Sequence, residues 1–316
     1  MKKSIKKKII IGVSILLGII VIGGIGGSYY FGKLVTEGLF HQNDGNDTKK
    51  NSLLQLEEWG YDLEQFNAKY SGETFHLEAE DGNTFPVTSY STDGDKAKDT
   101  AILIHGAGGD NVFLSPLAEI YLENGWNVLT FDLRGHGDNE DPLVTFGYLE
   151  RMDVSAIVDY AEKVNSDKQI IVHGQSIGGA TAGMYAATEH AAKHVDAVIM
   201  DSPVYSMEEM FAGVWQDTED IPFSYAVTCG NLYMKLNYGF TFKDVEITEQ
   251  QKYNEIKTLV IKSEQDDVCL PEKVETLYEN VAAEDKELVS IDTEHIKGML
   301  DQKEEYTAAV MQFLAK

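Results

Sequence analysis

Proline and cysteine are scarce in this chain of 316 residues, which holds 6 Pro and 2 Cys. Two thiols, Cys229 and Cys269, cannot build a disulfide scaffold and form no CxxC zinc pair, so an ordinary hydrophobic core must carry the fold. Basic residues are also few. Lys and Arg number 26 against 52 Asp and Glu, a net charge of −26. That sign repels phosphate backbones and excludes nucleic-acid binding as the main role. Internal repeats and low-complexity tracts are missing as well. What is there, 43% hydrophobic and 25% charged residues, is the profile of a folded globular protein.

Five of the cations, Lys2, Lys3, Lys6, Lys7 and Lys8, crowd the N-terminus, and the chain then runs from Ile9 to Phe31 without a charge. At about 1.5 Å of rise per helical residue, such a run spans a hydrocarbon layer of roughly 30 Å. The sequence therefore predicts a basic cytoplasmic tail over 1–8, a transmembrane signal anchor over 9–31 and a polar tether over 32–51. The lysines before the span place the N-terminus in the cytoplasm and the remainder outside the cell. A cleaved signal peptide and a secreted product form the alternative. The run exceeds the ~7–15 apolar residues of a cleavable segment, and no Ala-x-Ala site follows.

Residues 52–316 read as one domain. Leu53, Leu56, Trp59, Leu63 and Phe66 recur at helical spacing over Ser52–Tyr70, and Gly72–Tyr90 alternates like a hairpin about Asp81-Gly82-Asn83. From Thr100 onward, short apolar runs (Ala101–Ile104, Val128–Phe131, Ile170–Val172, Ala197–Met200, Leu259–Ile261, Leu288–Ile291) alternate with helical stretches. Those stretches are Leu117–Glu123, Val154–Val164, Ala180–Ala192 and Val274–Val281. The pattern predicts an α/β fold with a mostly parallel sheet covered by helices on both faces. The gap after Met200 is far longer than a crossover needs. Its residues 203–255, rich in Met and aromatic side chains, are predicted to form a helical lid insertion.

Ligands in such sheets bind beyond the carboxyl ends of the strands. After Ile170–Val172 comes His173-Gly174-Gln175-Ser176-Ile177-Gly178-Gly179, a G-x-S-x-G between strand and helix, where small residues permit a turn that lifts Ser176 clear of the sheet. After Ala101–Ile104 comes His105-Gly106-Ala107-Gly108-Gly109-Asp110, a loop able to aim N–H groups at a developing oxyanion. Its candidate donor is the Ala107 amide, paired with that of Ile177. A phosphate cradle is the other use of such a loop, but the lysine of a P-loop and the glycine spacing of a dinucleotide site are missing.

A serine hydroxyl is a poor nucleophile until a histidine takes its proton, and that histidine needs a carboxylate to fix its tautomer. The loop Ser263-Glu264-Gln265-Asp266-Asp267-Val268-Cys269 follows the fifth run, and Asp292-Thr293-Glu294-His295 follows the last. Of the 8 histidines, only His295 follows the final strand. Ser176, Asp266 and His295 are therefore the candidate catalytic residues. Asp267 stays open as the alternative acid, since counting back from Pro271 selects it.

HGAGGD, the turn Asp132-Leu133-Arg134-Gly135-His136-Gly137, GQSIGG, the SEQDDVCLP loop and the late His295 together resemble the α/β-hydrolase superfamily, in its serine esterase, lipase and aminopeptidase-like branch. The resemblance covers about residues 52–316. It implies Ser176 as nucleophile, Asp266 as acid, His295 as general base, and Ala107 with Ile177 as oxyanion hole. Asp132 and Arg134 match a structural turn of that family. With its basic, apolar N-terminus the chain looks like the membrane-tethered hydrolases of Gram-positive bacteria. The expected function is cleavage of a carboxylic ester by acyl transfer at the cell surface, on a small-molecule ester or acyl substrate, without metal or organic cofactor. A peptidase or acyltransferase using the same residues is one alternative. For a peptidase, Glu208, Glu209, Asp217, Glu219 and Asp220 are candidates to hold a substrate amine. A membrane-tethered binding protein without turnover is the other.

Overall fold

The computed structural model describes residues 2–91, 98–165, 167–215 and 221–316. Eight strands form one sheet: β1 (Gly72–Glu78), β2 (Thr84–Tyr90), β3 (Thr100–Ile104), β4 (Asn127–Phe131), β5 (Ile170–Gln175), β6 (Ala197–Asp201), β7 (Thr258–Ser263) and β8 (Lys286–Ile291). Their spatial order is β1-β2-β4-β3-β5-β6-β7-β8. β1 and β2 pair antiparallel as the expected hairpin, with Phe75 opposite Val87, and β2 pairs antiparallel with β4. From β4 to β8 every pairing is parallel.

β3, β4, β5, β6 and β7 are buried along their whole length, as a strand covered on both faces must be. Side chains alternate between faces. Ala101, Leu103, Ile171, Ile199 and Leu259 join one core cluster with the helices Ser115–Glu123 and Lys303–Ala315. Helices Glu150–Val164 and Ile177–Ala186 pack against β5 from other elements of the fold. Each Val, Leu or Ile so removed from water contributes roughly 1.5–3 kcal/mol.

The stretch Ser52–Tyr70 is two helices rather than one, Thr48–Glu58 and Leu63–Lys69. The break follows from local chemistry: Asp62 is an N-cap whose carboxylate accepts the Gln65 N–H at 2.8 Å, which starts a new helix. The expected tether is ordered at its end. Phe40 is fully buried and its carbonyl accepts the Val144 N–H at 2.9 Å.

The chain divides into two compact units, Met1–Leu39 with Phe211–Asp244, and Phe40–Met210 with Val245–Lys316. The first unit corrects the expectation for the N-terminus. A helix does run over Lys2–Phe40, but among the described residues no helix is long and apolar enough to cross a membrane. The structure thus supplies no single-pass anchor, no membrane partner through this helix, and no basis for an N-terminus inside with a domain outside. The same helix continues past residue 31 through Lys33 and Glu37, and several of its described side chains pack on protein. Phe31 stacks on Tyr225 at 5.6 Å, and Gly32 lies so close to the Cys229 carbonyl that a Cβ would sit 2.1 Å from its oxygen. Glu37 accepts a 3.0 Å hydrogen bond from the Tyr233 hydroxyl. This face is engaged by protein. Residues 203–255 contain the helices Met207–Trp215 and Phe223–Asn237.

Candidate active site

Four carboxyl ends of parallel strands converge. β5 runs into Ser176, whose backbone adopts φ 57° and ψ −118°, a region that only glycine enters without strain. The flanking glycines are required by close approach: a Cβ on Gly174 would lie 1.9 Å from the Gly178 carbonyl oxygen, and one on Gly178 would lie 2.3 Å from that of Ile104. The turn is further held by the Ser176 N–H, which donates to the Asp201 carbonyl at 2.9 Å. Ser176 then opens the helix Ile177–Ala186, so the Ile177 N–H belongs to the first turn, where intrahelical acceptors are lacking.

Ser176, His295 and Asp266 come together. His295 Nε2 lies 2.9 Å from Ser176 Oγ, and His295 Nδ1 lies 2.7 Å from Asp266 Oδ2. A carboxylate can only accept, so Nδ1 carries the proton and Nε2 faces the hydroxyl as an acceptor. The Asp266 side chain is fully buried, and its Oδ1 accepts the N–H groups of Val268 (2.9 Å) and Cys269 (2.7 Å). Asp267 is exposed and is not the residue facing His295. Burial, with Asp266 and Asp201 nearby, pushes the Cys269 thiol well above its ordinary range, which keeps it protonated.

The glycine loop after β3 sits beside the serine: a Cβ on Gly106 would lie 3.5 Å from Ser176 Cβ. Two histidines shape this loop. His105 Nδ1 donates to the Gly106 carbonyl at 2.7 Å while its Nε2 accepts the Leu133 N–H at 3.0 Å. His136 Nδ1 donates to the Arg134 carbonyl at 2.8 Å, leaving Nε2 to accept the Gly108 N–H (3.1 Å) and the Asn43 amide (2.8 Å). Burial lowers His105 to about 4, and burial together with His105 lowers His136 to about 3, so both stay neutral as these bonds require. Helix Thr48–Glu58 clasps the loop from outside. Ser52 Oγ accepts the Asp110 N–H at 2.9 Å, and Asn51 donates to the Gly108 carbonyl at 3.2 Å.

Beneath the serine lies a buried polar layer. Asp201 accepts from Gln175 Nε2 (2.9 Å) and from the Tyr306 hydroxyl (2.8 Å), and burial raises its carboxyl above the usual range against those bonds. His173 is held between Tyr121 and Tyr306 at 2.8 and 3.1 Å. Arg134, fully buried, binds Asp81, Asp141 and Asp153 and ties the hairpin turn to the helix Glu150–Val164. Asp132 accepts the Asn111 N–H at 2.8 Å. Through these bonds both hold neighbouring turns in place.

A cavity of about 480 Å³ opens over Ser176, and Ala107 lines it. Its walls come from helix Thr48–Glu58, the glycine loop and the loops after β7 and β8. Of the acidic residues considered for an amine, Glu209 is paired with Lys273 at 2.5 Å, while Asp217, Glu219 and Asp220 lie outside the described residues. No group of three or more His, Cys, Asp or Glu among the described residues could hold a metal ion.

His136, Asn51, Ser52 and Asp201 escaped the sequence reasoning. Each acts through a bond to backbone or to a distant side chain, which leaves no periodic signal; only the position of Asp201, at the end of an apolar run, pointed to the site.

Comparison with known proteins agrees with this architecture. A profile described as alpha/beta hydrolase fold matches residues 100–225. The chain is 24% identical to the uncharacterized protein YqkD of Bacillus subtilis over 73% of its own length and 75% of that protein's. Among solved structures it is similar to the esterase Pf2001 of Pyrococcus furiosus, with TM-score 0.63, 21% identity, and 81% of this chain and 95% of that one covered. It is also similar to Est1E of Butyrivibrio proteoclasticus, solved with ferulic acid bound, with TM-score 0.58, 19% identity, and coverage of 77% and 100%. None of these comparisons speaks for a membrane-anchored subtype. The parallel sheet, the serine elbow and the profile match over residues 100–225 give this chain the α/β-hydrolase fold.

Proposed function

We propose that the protein cleaves carboxylic esters by acyl transfer through Ser176, His295 and Asp266. The observation that carries this reading is the unbroken line from Asp266 Oδ2 to His295 Nδ1 (2.7 Å) and from His295 Nε2 to Ser176 Oγ (2.9 Å). As Ser176 Oγ attacks the carbonyl carbon, His295 Nε2 takes its proton, and Asp266 stabilises the imidazolium so formed. Negative charge gathers on the carbonyl oxygen, where the amides of Ala107 and Ile177 receive it. The tetrahedral species collapses, His295 returns the proton to the departing alkoxide, and an acyl-enzyme remains. Water, deprotonated by His295, then attacks the acyl carbon and restores the serine.

The choice of ester over amide is supported by the likeness to the esterase Pf2001, and Est1E, another structural neighbour, was solved with ferulic acid bound. Labelling by an alkyl fluorophosphonate, lost in Ser176→Ala, tests the nucleophile. A panel of p-nitrophenyl esters beside aminoacyl-p-nitroanilides tests the bond. Absence of labelling in the folded protein overturns the serine mechanism, and preference for anilides overturns the ester assignment.

A further inference from the structure

The cavity over Ser176 is built in part by a segment that precedes the first strand of the sheet. Helix Thr48–Glu58 does not float over the site: Thr48 and Ser52 are buried, Thr48 Oγ1 accepts the Gly137 N–H at 2.9 Å, and Ser52 and Asn51 hold the glycine loop. A wall fixed on both the glycine loop and the 132–137 turn stays in place relative to the nucleophile, so the groups it presents act as preformed recognition elements. At its end Trp59 lines the cavity beside Phe113, the two rings 5.1 Å apart and tilted by 55°. Ile296 and Val268 add further apolar lining.

Polar groups also line the cavity, Asn51, Gln55 and Glu58 from the helix and Glu294 and Lys297 from the loop after β8. Lys297 is already engaged by Glu294 at 2.6 Å, and Glu58 lies close enough to bias it further, so no cation here is left to receive an anionic substrate. At about 480 Å³ the space falls within the roughly 300–1,000 Å³ of small-molecule sites and far exceeds an acetyl group. A tilted ring pair accepts a third ring by offset or edge contact, which an alkyl chain cannot reproduce.

Resting on the hydrolase reading above, we propose that helix Thr48–Glu58 with Trp59 is the specificity wall of this site, and that its preferred substrates are esters bearing an uncharged aromatic group. Trp59 is then a substrate-binding residue remote from the bond that breaks.

Two matched pairs test this without an activated phenolate leaving group: methyl 3-phenylpropanoate against methyl hexanoate, and phenethyl acetate against hexyl acetate, followed by proton release. In at least one pair the aromatic ester is expected to show about tenfold higher kcat/KM. Trp59→Ala should raise KM for that ester about tenfold with kcat within twofold, a larger rise than for the matched alkyl ester, and Trp59→Phe should retain most of the preference. Fluorophosphonate labelling of Ser176 at the wild-type rate certifies that each variant is folded and competent. Equal rates within both pairs, or a Trp59→Ala variant that labels normally and keeps its aromatic preference, overturns the inference while leaving the hydrolase reading intact. A wild type that neither labels nor hydrolyses any of the four esters overturns both.

Discussion

Replacing Asp266 by Asn separates the acid from its neighbour Asp267 and exposes how the tautomer of His295 is set. Asp266 Oδ1 accepts two backbone N–H groups, from Val268 at 2.9 Å and Cys269 at 2.7 Å. An asparagine must keep its carbonyl oxygen there, because its amide hydrogens would oppose those donors. Its NH₂ is thereby turned toward His295 Nδ1, where it donates. The imidazole must then accept at Nδ1 and carry its proton on Nε2, 2.9 Å from Ser176 Oγ, so it can no longer take the serine proton. The loss combines a wrong tautomer with an unstabilised imidazolium and should be ~10³–10⁴ in kcat/KM, or about 4–5.5 kcal/mol of transition-state stabilisation. The assay is ester hydrolysis at pH 7–8 with fluorophosphonate labelling alongside, the two rates falling together. The thermal midpoint should hold, since the two backbone bonds survive. Asp267→Asn, at an exposed position, should leave activity within about twofold. An Asp266→Asn enzyme retaining a tenth or more of its activity, or a larger loss at Asp267, would refute the reasoning.

Other perturbations follow from the same geometry. Gly178→Ala places a Cβ 2.3 Å from the Ile104 oxygen and 2.6 Å from that of His105, both backbone atoms, so denaturant unfolding should show a loss of about 3 kcal/mol, with labelling of Ser176 abolished. Arg134→Met strips the partner from Asp81, Asp141 and the fully buried Asp153 and should cost about 3–5 kcal/mol in the same measurement. Burial pushes the Asp110 carboxyl up to about 6 from its ordinary 3.8. A carboxyl raised in this way supports folding below its unfolded value and loses that support as pH rises through about 6, so Asp110→Asn should melt higher than wild type at pH 8, by about 1–2 kcal/mol after allowing for solvent, and match it near pH 4. Equal melting shifts at both pH values would contradict that assignment.

The central strands were legible because each carries a short apolar run: every run from Ala101–Ile104 to Leu259–Ile261 lies within an observed strand, and the chemistry-bearing loops follow from strand direction alone. The acid could be narrowed only to a pair, since adjacent carboxylates differ in burial and not in spelling. Helix Thr48–Glu58 begins before the predicted stretch Ser52–Tyr70 and ends well within it, because its boundaries are set by single capping side chains, Asp47 before it and Asp62 after the break. Its role over the cavity depends on contacts with Gly108 and Asp110, far along the chain, and contacts of that reach leave no local pattern. The N-terminal run displays its length and want of charge in the sequence, whereas the engagement of Phe31 and Gly32 with partners beyond residue 220 leaves no local signal.

The backbone of Ser176, at φ 57°, sets catalysis against robustness at one residue. A non-glycine held there carries of order 1–3 kcal/mol of strain, and glycine at the same place would relieve it while deleting the hydroxyl. Selection for thermal endurance alone would therefore drift toward an inert, sturdier variant, and only continued demand for turnover keeps the serine in place.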